Sequence, residues 1–370
     1  MLNHYGTLLR STVIGAAIVT GGVTAALGDD IKIAIAAPVT GALAAPGAEI
    51  VNGAKLAVED LNAAGGVNGS KISMQTFDDA CEPKQAVSVA NLVVSEGINY
   101  VSGHLCSGST IPASEVYQDN NITEITVSSN PLVTERKLDW LFRIAGRDDQ
   151  QGPAGARFIL DKFKGQAVAL LSDKSSYGVG LVAAARDKLV ASGVTPIFDD
   201  TINPGEKDYS AVVTKLKALG VKVVYFGGYH TEAGLLLRQS ADTGFNLSIV
   251  GGDGLNTPEL ASIAGASAAN AYFTFPPDPT RNPAGAAVAK RLEAKNISAS
   301  GWTLYSYAII ETFAEGIKRA GKDASQVPAA LRKSPIKTIV GTVNFDDKGD
   351  NNAPGYAIYH FDNGKPVELD

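Results

Sequence analysis

The sequence predicts an α/β protein made of two doubly wound domains, in which helices cover both faces of mostly parallel sheets. Runs of β-forming residues alternate with runs of helical periodicity from Ile31 onward, and strand followed by helix is the pattern of a parallel sheet. This alternation comes in two successive blocks, one for each domain. A Pro-rich stretch at residues 273–283 then interrupts the rhythm, and we interpret it as an extended connection rather than an element.

The first block opens with a β-rich run at 31–41 and a helical stretch at 47–66, which two glycines end. In that stretch Ile50, Ala54 and Ala57 recur at helical spacing. Further strands are predicted at 71–80, 98–105, 122–129 and 139–145, and further helices at 83–97 and 110–121.

The second block repeats the alternation, and a third section follows it. Extended connections near Arg147, at 273–283 and near Asn352 would carry the chain between two lobes three times, as in hinged proteins. Strands are predicted at 166–174, 195–200, 221–230 and 247–254, helices at 152–165, 178–193, 209–220, 232–244, 282–296 and 303–321, and β-like runs at 338–345 and 356–361. We expect one lobe from residues 29–147 plus 277–352 and the other from 148–276 plus 353–370.

The composition is that of an ordinary globular protein with ample core-forming material. The chain has 370 residues, of which 45% are hydrophobic and 19% charged, and a formal net charge of -6. Its acidic balance and the lack of any run of Lys or Arg give no support for nucleic acid or an anionic membrane surface as a partner.

The first 28 residues have the layout of a secretory signal peptide. A basic residue precedes an uncharged stretch of small and apolar residues at 11–27, with cleavage expected near Ala26 or Gly28. An uncleaved membrane anchor is the alternative, but the stretch is short and Gly-rich against the roughly 20 strongly apolar residues of a spanning helix. We therefore expect an exported protein.

Export determines how the two cysteines, Cys81 and Cys106, are interpreted. In an oxidising compartment two lone cysteines most simply form a disulfide, and a loop of this size stabilises a fold by roughly 3.5 kcal/mol in the chain-entropy model. The competing interpretation is a metal site with His104 and Cys106 as ligands. The other histidines lie far along the chain, at positions 4, 230 and 360, so we expect neither a metal nor another cofactor.

The best argument for an enzyme is the segment YGVGLVA at 177–183, which matches a Gly-x-Gly-x-x-Ala dinucleotide pattern. That fingerprint needs its first Gly directly at a strand end, whereas six residues intervene here, so we expect these glycines to serve helix packing. Cys106 and His104 stand too close in sequence to serve comfortably as nucleophile and base. The sequence contains no Gly-x-Ser-x-Gly, P-loop or His-Glu-x-x-His motif, and we expect no enzymatic activity.

Small polar residues stand at the ends of several predicted strands. Ser107 and Ser109 open a helix, where N–H groups, hydroxyls and the helix dipole suit a carboxylate, although either serine would equally serve as a simple cap. Ser129 ends the next strand. Asp253, among glycines at another strand end, has room for an ammonium, although Asp followed by Gly is also a common turn. The aromatic residues that could face a site, or could instead pack in the core, are Tyr177, Tyr229 and Trp302.

Taken together, these residues resemble a known family, the periplasmic leucine/isoleucine/valine-binding proteins, which are the receptors of branched-chain amino acid ABC transporters. The resemblance runs from about Asp29 to the last predicted strand. It implies a type I periplasmic binding protein fold, with two Rossmann-like lobes, three crossover strands and a ligand cleft between the lobes. The matching segments are FDDACEPKQAVSVANLVV, GHLCSGSTIPASEVY, GRDDQQGP, DKSSYGVGL, GEKDYSAVVTKLKA, YFGGYHTEAGLLLRQ and FDDKGD.

The resemblance also implies a ligand site and a disulfide between Cys81 and Cys106. The ligand's ammonium would meet Asp253, together with a carbonyl and a hydroxyl around Ser128 and Ser129. Tyr177 and Trp302 would flank the ligand's side chain. The groups that would hold the ligand's carboxylate are Ser107, Ser128, Ser129 and Tyr229.

Departures from the family bear on specificity. The strand-end segment at 126–130 aligns one residue short of the family's usual pattern, which leaves the division of roles between Ser128 and Ser129 open. Pro46 stands where an aromatic residue is frequent, Trp302 where Phe or Tyr is usual, and Asp253 replaces the Glu of leucine-type receptors. The shorter acid leaves more space at the ammonium end, and Pro46 removes one wall of the side-chain pocket.

We therefore expect a periplasmic solute-binding receptor that captures an aliphatic amino acid by lobe closure and delivers it to the membrane permease of an ABC transporter. Leucine, isoleucine and valine come first as ligands. A broader range that includes alanine, proline or γ-aminobutyrate, as some relatives with Asp at this position accept, is the rival. A sensory receptor for a chemotaxis or kinase partner and an exported α/β enzyme stay open as alternatives, and we expect a monomer.

Overall fold

The computed structural model describes residues 1–3, 6, 30–321, 323–352 and 355–369. The predicted signal peptide, residues 1–28, lies outside the described residues except for four of them. Within the described part, no helix is both long enough and apolar enough to cross a bilayer.

The first block folds into a parallel five-stranded sheet that is buried on both faces. Ile33 and Ile35 pack into one hydrophobic cluster while Ala34 and Ala36 pack into another, because successive side chains of a strand point to opposite faces. The strands are β1 (Ile31–Ala37), β2 (Ile72–Asp78), β3 (Tyr100–Gly103), β4 (Thr123–Thr126) and β5 (Leu141–Arg143), in the order β2-β1-β3-β4-β5. The helices are α1 (Ala44–Ala63), α2 (Pro83–Ser95), α3 (Ser107–Asp119) and α4 (Leu132–Glu135).

The second block supplies most of a second sheet. Its central strands are buried along their whole length, as near-continuous apolar runs in a covered parallel sheet must be. The strands are β6 (Val168–Ser172), β7 (Phe198–Thr201), β8 (Val223–Gly227), β9 (Ser248–Gly251) and β10 (Ala271–Phe275). The helices are α5 (Asp148–Lys162), α6 (Ser176–Ala191), α7 (Ser210–Ala218), α8 (His230–Asp242) and α9 (Pro258–Ala264).

The third section adds elements to both sheets. They are α10 (Pro283–Glu293), α11 (Thr303–Ala320), α12 (Val327–Lys333), β11 (Ile336–Thr338), β12 (Gly341–Val343), β13 (Ala357–Asp362) and β14 (Lys365–Glu368). The chain first returns to the first sheet, where α11 packs against α1. It then goes back to the second sheet, whose strand order is β14-β13-β10-β9-β8-β6-β7. The chain thus passes between the sheets three times, after β5, after β10 and before β13.

Two local expectations were wrong. The stretch 273–283 is not wholly a connection, because Phe273–Phe275 form the end of β10 and only the residues after them leave the sheet. The β-like run at 338–345 is not one strand, since Gly341 lies in an antiparallel β11–β12 hairpin at a φ of 110°. Gly tolerates such a backbone angle where other residues do not.

Candidate ligand-binding cleft

A small cavity lies at the carboxyl ends of strands from both sheets. Ligands of open α/β sheets bind at this edge. Seven of the eight predicted site residues line the cavity: Pro46, Ser107, Ser129, Tyr177, Tyr229, Asp253 and Trp302. Five further lining residues were not predicted: Leu105, Val127, Gly254, Asn256 and Thr257.

Ser128 is the predicted residue that does not line the cavity. Its hydroxyl lies 2.6 Å from the hydroxyl of Thr110 and donates to the carbonyl of Leu105 at 2.9 Å, inside the first lobe. Neighbouring residues of an extended segment point to opposite sides, so the side chain of Ser129 faces the cavity when that of Ser128 faces inward. The sequence left open which of the two serines contacts a ligand. The structure favours Ser129, because its hydroxyl and not that of Ser128 faces the cavity.

One end of the cavity is the N-terminus of α3. Ser107 is the first residue of this helix, is 2% exposed, and its hydroxyl accepts a hydrogen bond from the backbone N–H of Asn130 at 3.3 Å. Among the described residues no side chain caps this terminus, and no acidic residue lies in its first turn. A helix start with free N–H groups and a buried hydroxyl suits an anionic group.

The loop that carries Ser107 is braced from behind. The predicted disulfide is confirmed: Cys81 and Cys106 are bonded, with their Cα atoms 5.6 Å apart. His104 is fully buried, with Nδ1 2.5 Å from Asp79 Oδ2 and Nε2 3.1 Å from the hydroxyl of Tyr117. With both ring nitrogens occupied, His104 serves neither as a base for Cys106 nor as a metal ligand, and no cluster of metal-binding side chains occurs in the described residues.

The other end of the cavity is acidic. Asp253 follows β9, is 7% exposed, and its Oδ2 accepts a hydrogen bond from Gln151 Nε2 at 3.0 Å. Burial raises the pKa of the Asp253 carboxyl to about 6, against hydrogen bonds from Gln151 and Tyr177 that favour the charged form. Gln151, which comes from α5 and lies in the segment GRDDQQG, is a contact of Asp253 that strand-end reasoning missed.

Aromatic residues from both lobes form the walls. The rings of Tyr177 and Tyr229 lie 5.3 Å apart, and the Tyr177 hydroxyl accepts from the backbone N–H of Gly254 at 3.1 Å. On the other wall, the backbone N–H of Trp302 donates to Glu49 Oε2 at 3.0 Å, which fixes Trp302 at the start of α11. Burial raises the pKa of Glu49 to about 8.

The glycines of the dinucleotide-like segment allow close packing. A Cβ on Gly178 would lie 2.5 Å from the carbonyl oxygen of Gly227, and one on Gly180 would lie 2.7 Å from Asn130 Nδ2. At this close approach Asn130 Nδ2 donates to the carbonyl of Ser176 at 2.6 Å and joins the two lobes. The packing role expected for these glycines therefore agrees with the geometry.

Residues 30–365 match the family model described as periplasmic binding protein. The chain belongs to the periplasmic binding protein family. Leu/Ile/Val-binding protein homolog 1 of Brucella suis biovar 1 is 43% identical over 361 residues, which cover 97% of this chain and 96% of that protein. An amino acid binding protein of Pseudomonas aeruginosa is 44% identical over 370 residues, covering 98% of this chain and 99% of that protein.

A solved structure of the same family shows the same fold. The branched-chain amino acid transporter substrate binding protein LivJ of Streptococcus pneumoniae, in complex with isoleucine, is 27% identical and superposes with a TM-score of 0.83. The match covers 92% of this chain and 100% of that chain. The expected type I periplasmic binding protein fold is confirmed. Periplasmic binding proteins bind solutes rather than catalyse reactions, and membership of the family implies a periplasmic location.

Proposed function

We propose that this protein is a periplasmic receptor for aliphatic amino acids and hands its ligand to the permease of an ABC transporter. The observation that carries the proposal is the pairing of two unlike ends in one cleft, with Ser107 at the start of α3 on one side and buried Asp253 on the other. A zwitterion brings one charge for each end, which a simple carboxylic acid or a simple amine does not.

The apolar part of the cleft suits an aliphatic side chain. Leu105, Val127 and Trp302 line it, and none of them offers a charged group to a ligand's side chain. The relatives named for leucine, isoleucine and valine, and the isoleucine complex of LivJ, support the same ligand class. We place branched-chain amino acids first, with a broader range as the alternative because Pro46 and Asp253 are both small for their positions.

Lobe closure is the proposed way in which the receptor signals occupancy. We propose lobes at residues 29–147 plus 277–352 and at 148–276 plus 353–370, with the ligand bridging them and favouring the closed form by contacts to both. The permease would then recognise that closed form. We also propose that the receptor acts as a monomer and has no enzymatic activity.

Calorimetric titration of the purified protein tests the proposal. Leucine, isoleucine, valine, alanine and γ-aminobutyrate are titrated in turn, with isovalerate and isobutylamine as controls that each lack one of the two charges. Binding of at least one amino acid and no measurable binding of either control is expected. If none of the five amino acids gives heat, the proposed function is wrong.

A further inference from the structure

Asp148 is a buried acid that the site described so far does not use. It is the first residue of α5, directly after the first crossover, and its backbone N–H donates to the carbonyl of Ser129 at 2.9 Å. The residue is fully buried, and neither oxygen of its carboxyl group makes a hydrogen bond of good geometry among the described residues, although the Ser129 side chain lies close enough to favour the ionised form. A buried carboxyl without partners is costly, so its presence needs a reason.

Arg143 does not hydrogen-bond Asp148. Arg143 lies close enough to favour the ionised acid, but all five of its N–H groups are already engaged. Arg143 is fully buried, and its donors go to Asp350 twice and once each to Thr134 and to the carbonyls of Ser128 and Asn130. A guanidinium has no sixth donor, so Arg143 has no hydrogen bond left for Asp148.

Asp148 does not line the cavity itself, but its carboxyl group lies near that of Asp253 at the acidic end. Gln151, one helical turn further along α5, hydrogen-bonds Asp253, and Ser129 lies beside both carboxyl groups. Burial, and after it the charge of Asp253, raises the pKa of Asp148 well above its usual range. The hydroxyls of Tyr225 and Tyr356 next to this pair are also buried and without partners among the described residues. The charged and titratable groups that face Asp148 are Arg143, Asp149, Tyr177, Tyr225, Tyr229, Asp253 and Tyr356.

We propose that Asp148 is a second acidic residue of the ammonium subsite, which shares a proton with Asp253 in the empty receptor and releases it when the ligand's ammonium arrives. Two neighbouring buried carboxyl groups ionise together only with a cation bonded to them; Arg143 has no donor left for this pair, and the ligand's ammonium would supply the donors. The balance is simple: the protonated receptor and the ligand give the complex and one proton, which goes to solvent. This inference rests on the proposed function, since it requires an ammonium-bearing ligand.

The test measures how many protons the protein releases when it binds one ligand molecule. The protein is titrated with leucine at pH 7.5 in phosphate and in Tris, whose ionisation enthalpies differ, and the difference in heat gives the protons released per ligand. A cation about 4 Å from a carboxyl lowers its pKa by about 3 at an effective dielectric constant of about 20, so roughly half a proton to one proton is expected. Asp148→Asn should release less than about a tenth of a proton, whereas Asp149→Asn, which changes the adjacent exposed acid, should match the wild type.

Two failures are distinguishable. If no amino acid gives heat with the wild type, the proposed function falls and this inference falls with it. If leucine binds and the wild type and Asp148→Asn release equal numbers of protons, only the role of Asp148 is overturned. Should Asp148→Asn not fold, ¹³C-aspartate labelling of the wild type replaces it: one protonated Asp side chain is expected at pH 7.5, and its signal should shift to the ionised position with saturating leucine. The lack of any protonated Asp in the empty protein would overturn the inference.

Discussion

The two ends of the cleft hold charge in opposite ways. At the end formed by the first sheet, Ser107 and the start of α3 offer neutral dipoles, and the loop behind them is braced by the Cys81–Cys106 disulfide. At the end formed by the second sheet, Asp253 offers a full charge whose own ionisation burial disfavours. The first end is ready for its partner at any ordinary pH, whereas the second end depends on a proton equilibrium.

The difference has a physical reason. Backbone N–H groups and hydroxyls are buried at modest cost and do not titrate, so in the empty receptor they are already in the state that binds a carboxylate. A cation needs an anion or several oxygens, and an anion buried without a cation is expensive. We therefore expect the acidic end to determine the affinity, the selectivity and the pH dependence of binding.

The largest effect is expected from removing the charge of Asp253. Asp253→Asn keeps the size of the side chain but leaves the ligand's ammonium without its anion, and loss of one member of a buried charge pair costs about 2–5 kcal/mol, or at least thirtyfold in affinity. Asp253→Glu restores the charge and should stay within about tenfold of the wild type. Calorimetry with the best ligand gives the affinities, and circular dichroism checks the fold. Unchanged affinity in Asp253→Asn would remove Asp253 from the site.

A smaller effect is expected from pH, and it should belong to the acidic end alone. The pKa of Asp253 is raised to about 6, so this carboxyl is ionised above pH 6 and becomes protonated as the pH falls through that value. Because the ammonium needs the ionised form, protonation of Asp253 by itself should lower the affinity roughly tenfold between pH 7.5 and pH 5, in addition to the loss that comes from the proton inferred for Asp148. Ser107→Ala should weaken binding by the same factor at both pH values, since a hydroxyl does not titrate. A pH-independent wild type would contradict this difference between the ends.

The sequence predicted the fold well because the signals were local. Strands such as β6 and β8 are short apolar runs, each followed by a helix, and this alternation identifies them directly. The end of β10 was not predictable because prolines follow Phe275. A Pro-rich segment has the same sequence pattern whether or not its first residues complete a strand. Hairpin pairing such as that of β11 with β12 depends on contacts that periodicity does not contain.

The lining of the candidate site could be predicted as far as strand ends reveal it. Ser107, Ser129 and Asp253 each follow a strand, and the carboxyl ends of parallel strands meet at one edge. The inward direction of Ser128 was not predictable, because it depends on where the strand's alternation ends. Gln151 was missed for a different reason: it reaches Asp253 across 102 positions of sequence, from a helix whose own pattern suggests only packing.

The smallest effect is expected at a contact that belongs to neither end. The Asn130 side chain accepts from the backbone N–H of Leu132 at 2.8 Å and donates to the carbonyl of Ser176 at 2.6 Å, so it joins the lobes without lining the cavity. Asn130→Ala should weaken binding by about 1 kcal/mol, roughly fivefold, by destabilising the closed form. The factor should be the same for every ligand and at every pH, unlike that of Asp253→Asn.

Two further variants sharpen this last prediction. Gly180→Ala places a Cβ where Asn130 Nδ2 now lies and should reproduce the loss, whereas Asn91→Ala, which removes an exposed amide on α2, should have no effect. Affinities for leucine and alanine at pH 7.5 and pH 5 provide the comparison. If Asn130→Ala changes the ratio of the affinities for leucine and alanine, the Asn130 side chain acts on the ligand itself. If Asn130→Ala leaves both affinities unchanged, this contact does not stabilise the closed form, and closure depends on the two ends of the cleft.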